Sequence, residues 1–112
     1  MKMITAIVRP EREEAVVRQL EEAGLFALTK WDVLGRGRQR GVQVGATVYH
    51  ELPKVSLMLV VEDEQVESAV EAITAAAQTG HPGDGRIFVG NVDASYIVRT
   101  GRPAGVGDRA SS

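Results

Sequence analysis

Between Thr79 and Val89 the sequence reads TGHPGDGRIFV, with three glycines in the seven residues from Gly80 to Arg86. Glycines at that density let the backbone take positive φ and bring peptide N–H groups close to an anion, and Arg86, directly after the last of them, is placed to neutralise it. The same letters also describe a plain turn, with Gly80 closing a helix and GDG supplying loop chemistry. Neither the GxxxxGK[ST] spacing of a Walker loop nor the GxGxxG of a dinucleotide site is present. A second candidate, GRGRQRG from Gly35 to Gly41, reads as an anion or nucleic-acid patch or as a solvated loop. It opens a stretch from Leu34 to Lys54 that is rich in glycine and arginine and has Glu51 as its one acid.

Other chemistries find less support. His50 and His81 are the only histidines, too few and too far apart to assert a metal site. Ser56, Ser68 and Ser95 have no nucleophile-elbow context. The carboxylates gather in Glu11 to Glu14 and Glu62 to Glu64, where helix starts and solubility account for them.

The elements that must hold these loops follow from periodicity. KMITAIVR (Lys2 to Arg9) alternates apolar residues with a β-branched bias and reads as a strand. PEREEAVVRQLEEAGL reads as a helix, with Pro10 at its first position, acids in the first turn, Gly24 at its end and Val16, Val17, Leu20 and Ala23 on one stripe. Phe26 to Gly35 is a second strand, the glycine-rich stretch follows, and Lys54 to Glu62 is a third. DEQVESAVEAITAAAQTG is a second helix, and RIFVGNVDASYIVRT closes with strand character broken near Asn91 to Ala94. The order βαββαβ predicts an α+β, ferredoxin-like sandwich. Both faces of its strands are largely apolar, with Val55, Leu57, Leu59 and Val61 on one side of the third strand and Ser56, Met58 and Val60 on the other. Two helices cover one face, so the other is expected to be covered by further copies of the chain.

Composition bounds what this domain can do. A chain of 112 residues holds one core. A hydrophobic share of 44% with 25% charged residues excludes a largely disordered chain. A formal net charge of −2 gives no global attraction to nucleic acid or anionic membranes, so neither nucleic-acid binding nor direct membrane insertion is expected. Without cysteine there is no disulfide framework or thiolate metal site. With no signal peptide and no apolar run near the roughly 20 residues of a membrane span, the expected address is the cytoplasm. An RNA-recognition module shares the βαββαβ order but needs stacking aromatics on its central strands. Aromatics are 4% of this chain, and the third strand has none.

IVRPE at the end of the first strand, GRGRQRG, ELPK, AQTGHPGDGRIFV and VRTG occur in collinear order. On these segments the chain, from Met1 to about Gly101, resembles the PII signal-transduction proteins. The opening MKMITAIVRPE and the loop text look like the branch encoded in nitrogenase gene clusters.

The resemblance implies a homotrimer of ferredoxin-like subunits over residues 1–101, with a long T-loop (about 36–53) between the second and third strands and a B-loop (about 79–86); residues 102–112, rich in glycine, serine and charge without periodicity, are expected to form a flexible, disordered tail unless a nucleotide or neighbouring subunit orders its start. It implies ATP or ADP as effectors, with magnesium and 2-oxoglutarate. The phosphates would lie on Gly83, Asp84, Gly85 and Arg86, with Arg99 from a neighbouring subunit. Ile7, Thr29, Met58 and Val60 would meet the adenine, and Gly35, Gly37 and Arg38 would complete the nucleotide site at the loop base. Gln39 would bear on the magnesium ion, and Lys54 with Arg9 would hold the distal carboxylate of 2-oxoglutarate. The implied role is nitrogen regulation without enzymatic turnover: a target protein (a nitrogenase component, transporter or enzyme) would be controlled through the T-loop.

Departures from the family pattern are specific. Tyr49 lies too near LPK to match the tyrosine that enteric relatives uridylylate. His81 and Pro82 replace a lysine and an apolar residue, and Ile97 stands where a second phosphate-binding arginine is frequent. These changes leave open a divergent PII-like regulator that binds adenine nucleotides without 2-oxoglutarate and serves carbon or bicarbonate uptake. A small acylphosphatase-type enzyme is the rival from another class, and its cradle lacks an evident nucleophile or base.

Overall fold

A computed structural model describes residues 1–36, 42–49 and 51–106. Strand β1 (Lys2–Val8) buries Ile4, Ala6 and Val8 on one face, as its period-2 pattern requires. A single 3-10 turn at Pro10–Arg12 leads into helix α1 (Glu13–Glu22). Gly24 ends α1, as the sequence suggests. At φ 82° it donates its N–H to Glu21 O, while Leu25 N–H reaches back to Leu20 O. This paired closure satisfies two terminal carbonyls and tucks Leu25 into the core.

Strand β2 (Thr29–Gly35) begins three residues later than its sequence pattern suggests. The chain is still turning off the end of α1 at Leu25, and Phe26 emerges exposed before pairing starts at Thr29 opposite Met58. The glycine-rich stretch contains a feature its composition conceals. Strands β3 (Val42–Val44) and β4 (Thr47–Tyr49) pair with each other through a turn at Gly45 and Ala46, with Gly45 at φ 60°. Each is only three residues long, below the length at which alternation is legible. Strand β5 (Leu52–Val61) also begins earlier than expected, because Pro53 pairs in register with Leu34.

Glu62 and Gln65 form a reciprocal capping box at a 3-10 turn that leads into α2 (Val66–Ala77). Strand β6 (Gly85–Asn91) then pairs with β1. The sheet order β2-β5-β1-β6, antiparallel throughout, is the ferredoxin-like arrangement.

Both helices lie on one face, where Val16 and Leu20 of α1 and Ala69, Ile73, Ala76 and Ala77 of α2 join Ile4, Val8, Leu57 and Val61 in one core. Full burial of side chains such as Leu20, Leu57 and Ile73 stabilises the fold by about 1.5–3 kcal/mol each. The opposite face is apolar but incompletely covered. Met3, Trp31 and Phe88 remain 36%, 44% and 50% exposed there.

The chain closes with a short hairpin, β7 (Tyr96–Ile97) against β8 (Arg102–Pro103). Residues 102–103, which the sequence assigns to a disordered tail, are thus positioned by the chain's own strand pairing. Residues 107–112 lie outside the described residues. No helix among the described residues is long and apolar enough to cross a membrane.

Candidate functional site

The glycine loop after α2 is built around one carboxylate. Helix α2 stops at Ala77 with Gln78 in extended conformation, so Gly80 is not the helix cap that its position suggests. Gly80, at φ 85°, donates its N–H to Asp84 Oδ2 at 2.9 Å, and Thr79 N–H reaches the same oxygen at 2.8 Å. The Thr79 hydroxyl donates to Asp84 Oδ1, and Arg9 Nε lies 3.2 Å from that atom. The Thr79 hydroxyl, its N–H, the Gly80 N–H and the Arg9 guanidinium together hold the Asp84 carboxyl well below the usual carboxylate range. Thr79 was not singled out by sequence reasoning. Its signal is a threonine leaving a helix five residues before an aspartate, a spacing that closes a loop on side-chain oxygen.

Two cations converge on this loop from the sheet. Arg9, just past the end of β1, donates from Nη2 to Pro82 O at 2.9 Å, and Lys54 of β5 donates from Nζ to Gly83 O at 2.5 Å. A side chain at Gly83 would start 3.3 Å from Arg9 Nη2 and 3.8 Å from Lys54 Nζ, so the absence of one lets both cations reach the backbone. Burial, then the neighbouring Arg9 charge, depress the Lys54 ammonium below the ordinary lysine value. The stem of Lys54 passes over Gly35, where an added Cβ would meet Lys54 Cγ at 3.1 Å.

Gly85 has a reason of its own. Its φ of 120° and its pairing with Val8 would put a Cβ 1.8 Å from Ile7 O, so only glycine fits, whatever the loop binds. Arg86 stands opposite Ile7, which places it on the uncovered face of the sheet. Thr29 and Met58 are cross-strand partners on that face, and Val60, opposite Met3, is one row further from the loop. The structure therefore brings Ile7, Thr29, Met58, Val60 and Arg86 to one surface. Arg9, Lys54, Gly83, Asp84 and Gly85 gather at its edge, beside Gly35.

Arg99 lies in the turn between β7 and β8, and Ile97 faces Arg102 across that hairpin, so a guanidinium is available next to the apolar replacement. Gly37, Arg38, Gln39 and Gly41 of the predicted loop base, and His50, lie outside the described residues. Across the neck of the loop, Arg36 and Glu51 approach at 3.8 Å, a pair not marked by sequence reasoning. No three His, Cys, Asp or Glu side chains converge among the described residues, so a metal would depend on other oxygen donors. A cavity of about 260 Å³ beneath the glycine loop, floored by Val8, Ile73, Ala77 and Ile87, opens on the helix side, away from Ile7 and Met58.

Two cations and an arginine of the sheet thus border a loop whose backbone is fixed by an internal carboxylate, an arrangement whose chemistry suits an anion. A family model described as nitrogen regulatory protein P-II matches residues 1–102. The nitrogen fixation nifHD region glnB-like protein 1 of Methanococcus maripaludis is 56% identical over 100 residues, covering 89% of this chain and 95% of that protein. The nifHD1 region GlnB-like protein 1 of Methanosarcina barkeri is 48% identical over 103 residues, covering 92% and 98%. The nitrogen regulatory protein P-II 2 of Methanothermobacter thermautotrophicus is 46% identical over 105 residues, covering 90% and 91%.

Proposed function

This chain belongs to the nitrogen regulatory protein P-II family, and on that premise we propose that it is a homotrimeric, non-enzymatic sensor of adenine nucleotide and 2-oxoglutarate that controls a target protein through its T-loop. The observation that carries this reading is the convergence of Arg9 and Lys54 on Gly83, next to Arg86. Two cations held by backbone carbonyls, with Asp84 the one carboxylate paired to either among the described residues, suit a ligand that brings its own negative charge.

Thr79, Gly80 and His81 use their N–H groups inside the loop; on this reading the phosphate contacts fall to Gly83, Gly85 and Arg86, with Arg99 added from a neighbouring subunit. Arginine suits that task because its planar fork binds phosphate oxygens two at a time. Ile7, Thr29, Met58 and Val60 offer the apolar wall for the adenine, bounded by Gly35, Gly37 and Arg38. Lys54 and Arg9 take the distal carboxylate of 2-oxoglutarate. Gln39 would be the side chain that holds a magnesium ion, whose charge would neutralise the phosphates and the acid beside it.

Regulation follows from position. Lys54 lies in β5 two residues after its start, and its stem rests on Gly35 at the end of β2, so an acid held by Lys54 acts on both roots of the loop. A ligand can bias the loop only by its difference in affinity between loop states, and a few kcal/mol is enough to change which state a partner meets. The nifHD-region names of the relatives make a nitrogenase-linked target the first to try.

Isothermal titration tests the reading, with ATP and ADP each in magnesium, with and without 2-oxoglutarate. The acid is expected to bind only alongside magnesium and ATP. Lys54→Met is expected to weaken acid binding by at least about tenfold, about 1.4 kcal/mol, while leaving ADP binding near wild type. Absence of acid binding under every nucleotide condition would overturn the 2-oxoglutarate assignment.

A further inference from the structure

The chain has three lysines, and the fold places them in three electrostatic settings. Lys30 Nζ lies 2.7 Å from Glu13 Oε1, a counterion that stabilises its ammonium form and raises its pKa above the ordinary lysine value. Lys2, at the start of β1, donates to Asn91 Oδ1 in an exposed hydrogen bond. Lys54 donates to a neutral acceptor, the Gly83 carbonyl, and no carboxylate pairs with it among the described residues. The Arg9 guanidinium, a like charge, converges on Gly83 with it.

We propose that Lys54 is a site of Nε-acylation by acyl phosphates, with Arg9 drawing the phosphate end of the donor to the amine. The free amine attacks the acyl carbon and forms the C–N amide bond. The C–O bond to phosphate breaks, inorganic phosphate leaves with that electron pair, and the nitrogen gives its surplus proton to water. No oxidant, reductant or metal is needed.

The geometry favours Lys54 in two ways. A nucleophilic amine must be unprotonated, and the site disfavours the ammonium form through burial and through Arg9. Glu11 and Asp84 oppose this with negative charge. Asp84 is already engaged with Thr79, Gly80 and Arg9, and the net effect still lowers the ammonium's pKa from the ordinary lysine value. Second, Arg9 beside the amine provides a binding charge for a phosphate leaving group, whereas Lys30 sits against Glu13, a carboxylate that repels one. Acylation replaces a cation with a neutral amide. On the sensor reading above, it therefore removes the charge that holds the acid and fixes the loop in its acid-free state. Only this consequence rests on that reading; the reaction itself does not.

Initial acetylation rates at Lys2, Lys30 and Lys54 can be measured on the full chain at pH 8 by peptide mass spectrometry. Acetyl phosphate serves as the anionic donor and N-acetoxysuccinimide as a neutral one. Lys54 is expected to react at least about threefold faster than either other lysine with acetyl phosphate, in line with a depressed amine pKa. Inorganic phosphate is expected to slow the acetyl phosphate reaction at Lys54 and to leave the neutral reagent unaffected. Arg9→Gln is expected to remove most of the advantage, and because the phosphate competition is read on the wild-type chain, misfolding of that variant does not shield the proposal. Equal rates at the three lysines with acetyl phosphate would overturn it. These readouts contain no nucleotide or 2-oxoglutarate, so they stand or fall separately from the titrations that test the sensor.

Discussion

Asp84 is the residue on which the shape of the glycine loop turns. Its oxygens accept from Thr79 twice, from Gly80 and from Arg9, which fixes the shape of the glycine loop and the aim of a guanidinium together. Its carboxylate is thus a positioning group, and the nucleotide contact expected at Asp84 falls to its backbone, since a carboxylate would repel phosphate directly. The consequence is a pH signature. A carboxyl whose pKa is lower folded than unfolded adds stability above its unfolded value, about 3.9, and loses it as pH falls from there toward the folded value. Asp84→Asn is therefore expected to melt below wild type at pH 7, with the gap narrowing as pH drops below about 4. Thermal unfolding of both proteins across that range checks it, and a gap independent of pH would show that the carboxylate charge is not what holds the loop.

At the scale of elements, the molecule separates into a packed body and a projecting ribbon. The buried core is drawn from β1, α1, β5 and α2 with Leu25, whereas β3 and β4 pair only with each other. Replacing Val42–Tyr49 with a short Gly-Ser linker is expected to change the unfolding free energy of the body by less than about 0.5 kcal/mol, as for surface changes remote from the core, while abolishing target control. Chemical denaturation compared with wild type decides the first half.

The same division explains what could be read in the sequence. Long elements with many apolar repeats, such as Lys54–Glu62 and the α2 stripe of Ala69, Ile73, Ala76 and Ala77, announce themselves, because periodicity accumulates over turns and pleats. The convergence of Arg9 and Lys54 on Gly83 leaves no such periodic mark: only the family resemblance pairs Lys54 with Arg9, because sheet register joins positions far apart in the chain. Gly85 was legible as a glycine the loop needs, but its reason, the carbonyl of Ile7 at 1.8 Å from any Cβ, exists only once β1 and β6 are paired.

At the scale of the whole molecule, the decisive feature is the uncovered face of the sheet. Ser56 is buried there between Ile7 and Trp31 on neighbouring strands, and Met58 and Val60 are half-buried, but Met3, Trp31 and Phe88 extend the apolar surface toward solvent. Exposing such a surface is costly, and a closed ring of identical chains covers it without leaving a sticky end. The homotrimeric reading therefore makes Phe88, on the edge strand β6 beside Thr5, a position where charge is tolerated by the single chain and not by the assembly. Phe88→Glu places a carboxylate at a half-exposed site, so the fold should persist by circular dichroism, while an interface that buries it unpaired would lose several kcal/mol. Light scattering behind size exclusion is expected to give a trimer mass for the wild type and a single-chain mass for the variant. A monomeric wild type would end the reading of the sheet face as a subunit interface. It would also remove the neighbouring subunit from which Arg99 is proposed to reach the phosphates, so the assembly and the nucleotide site stand on the same measurement.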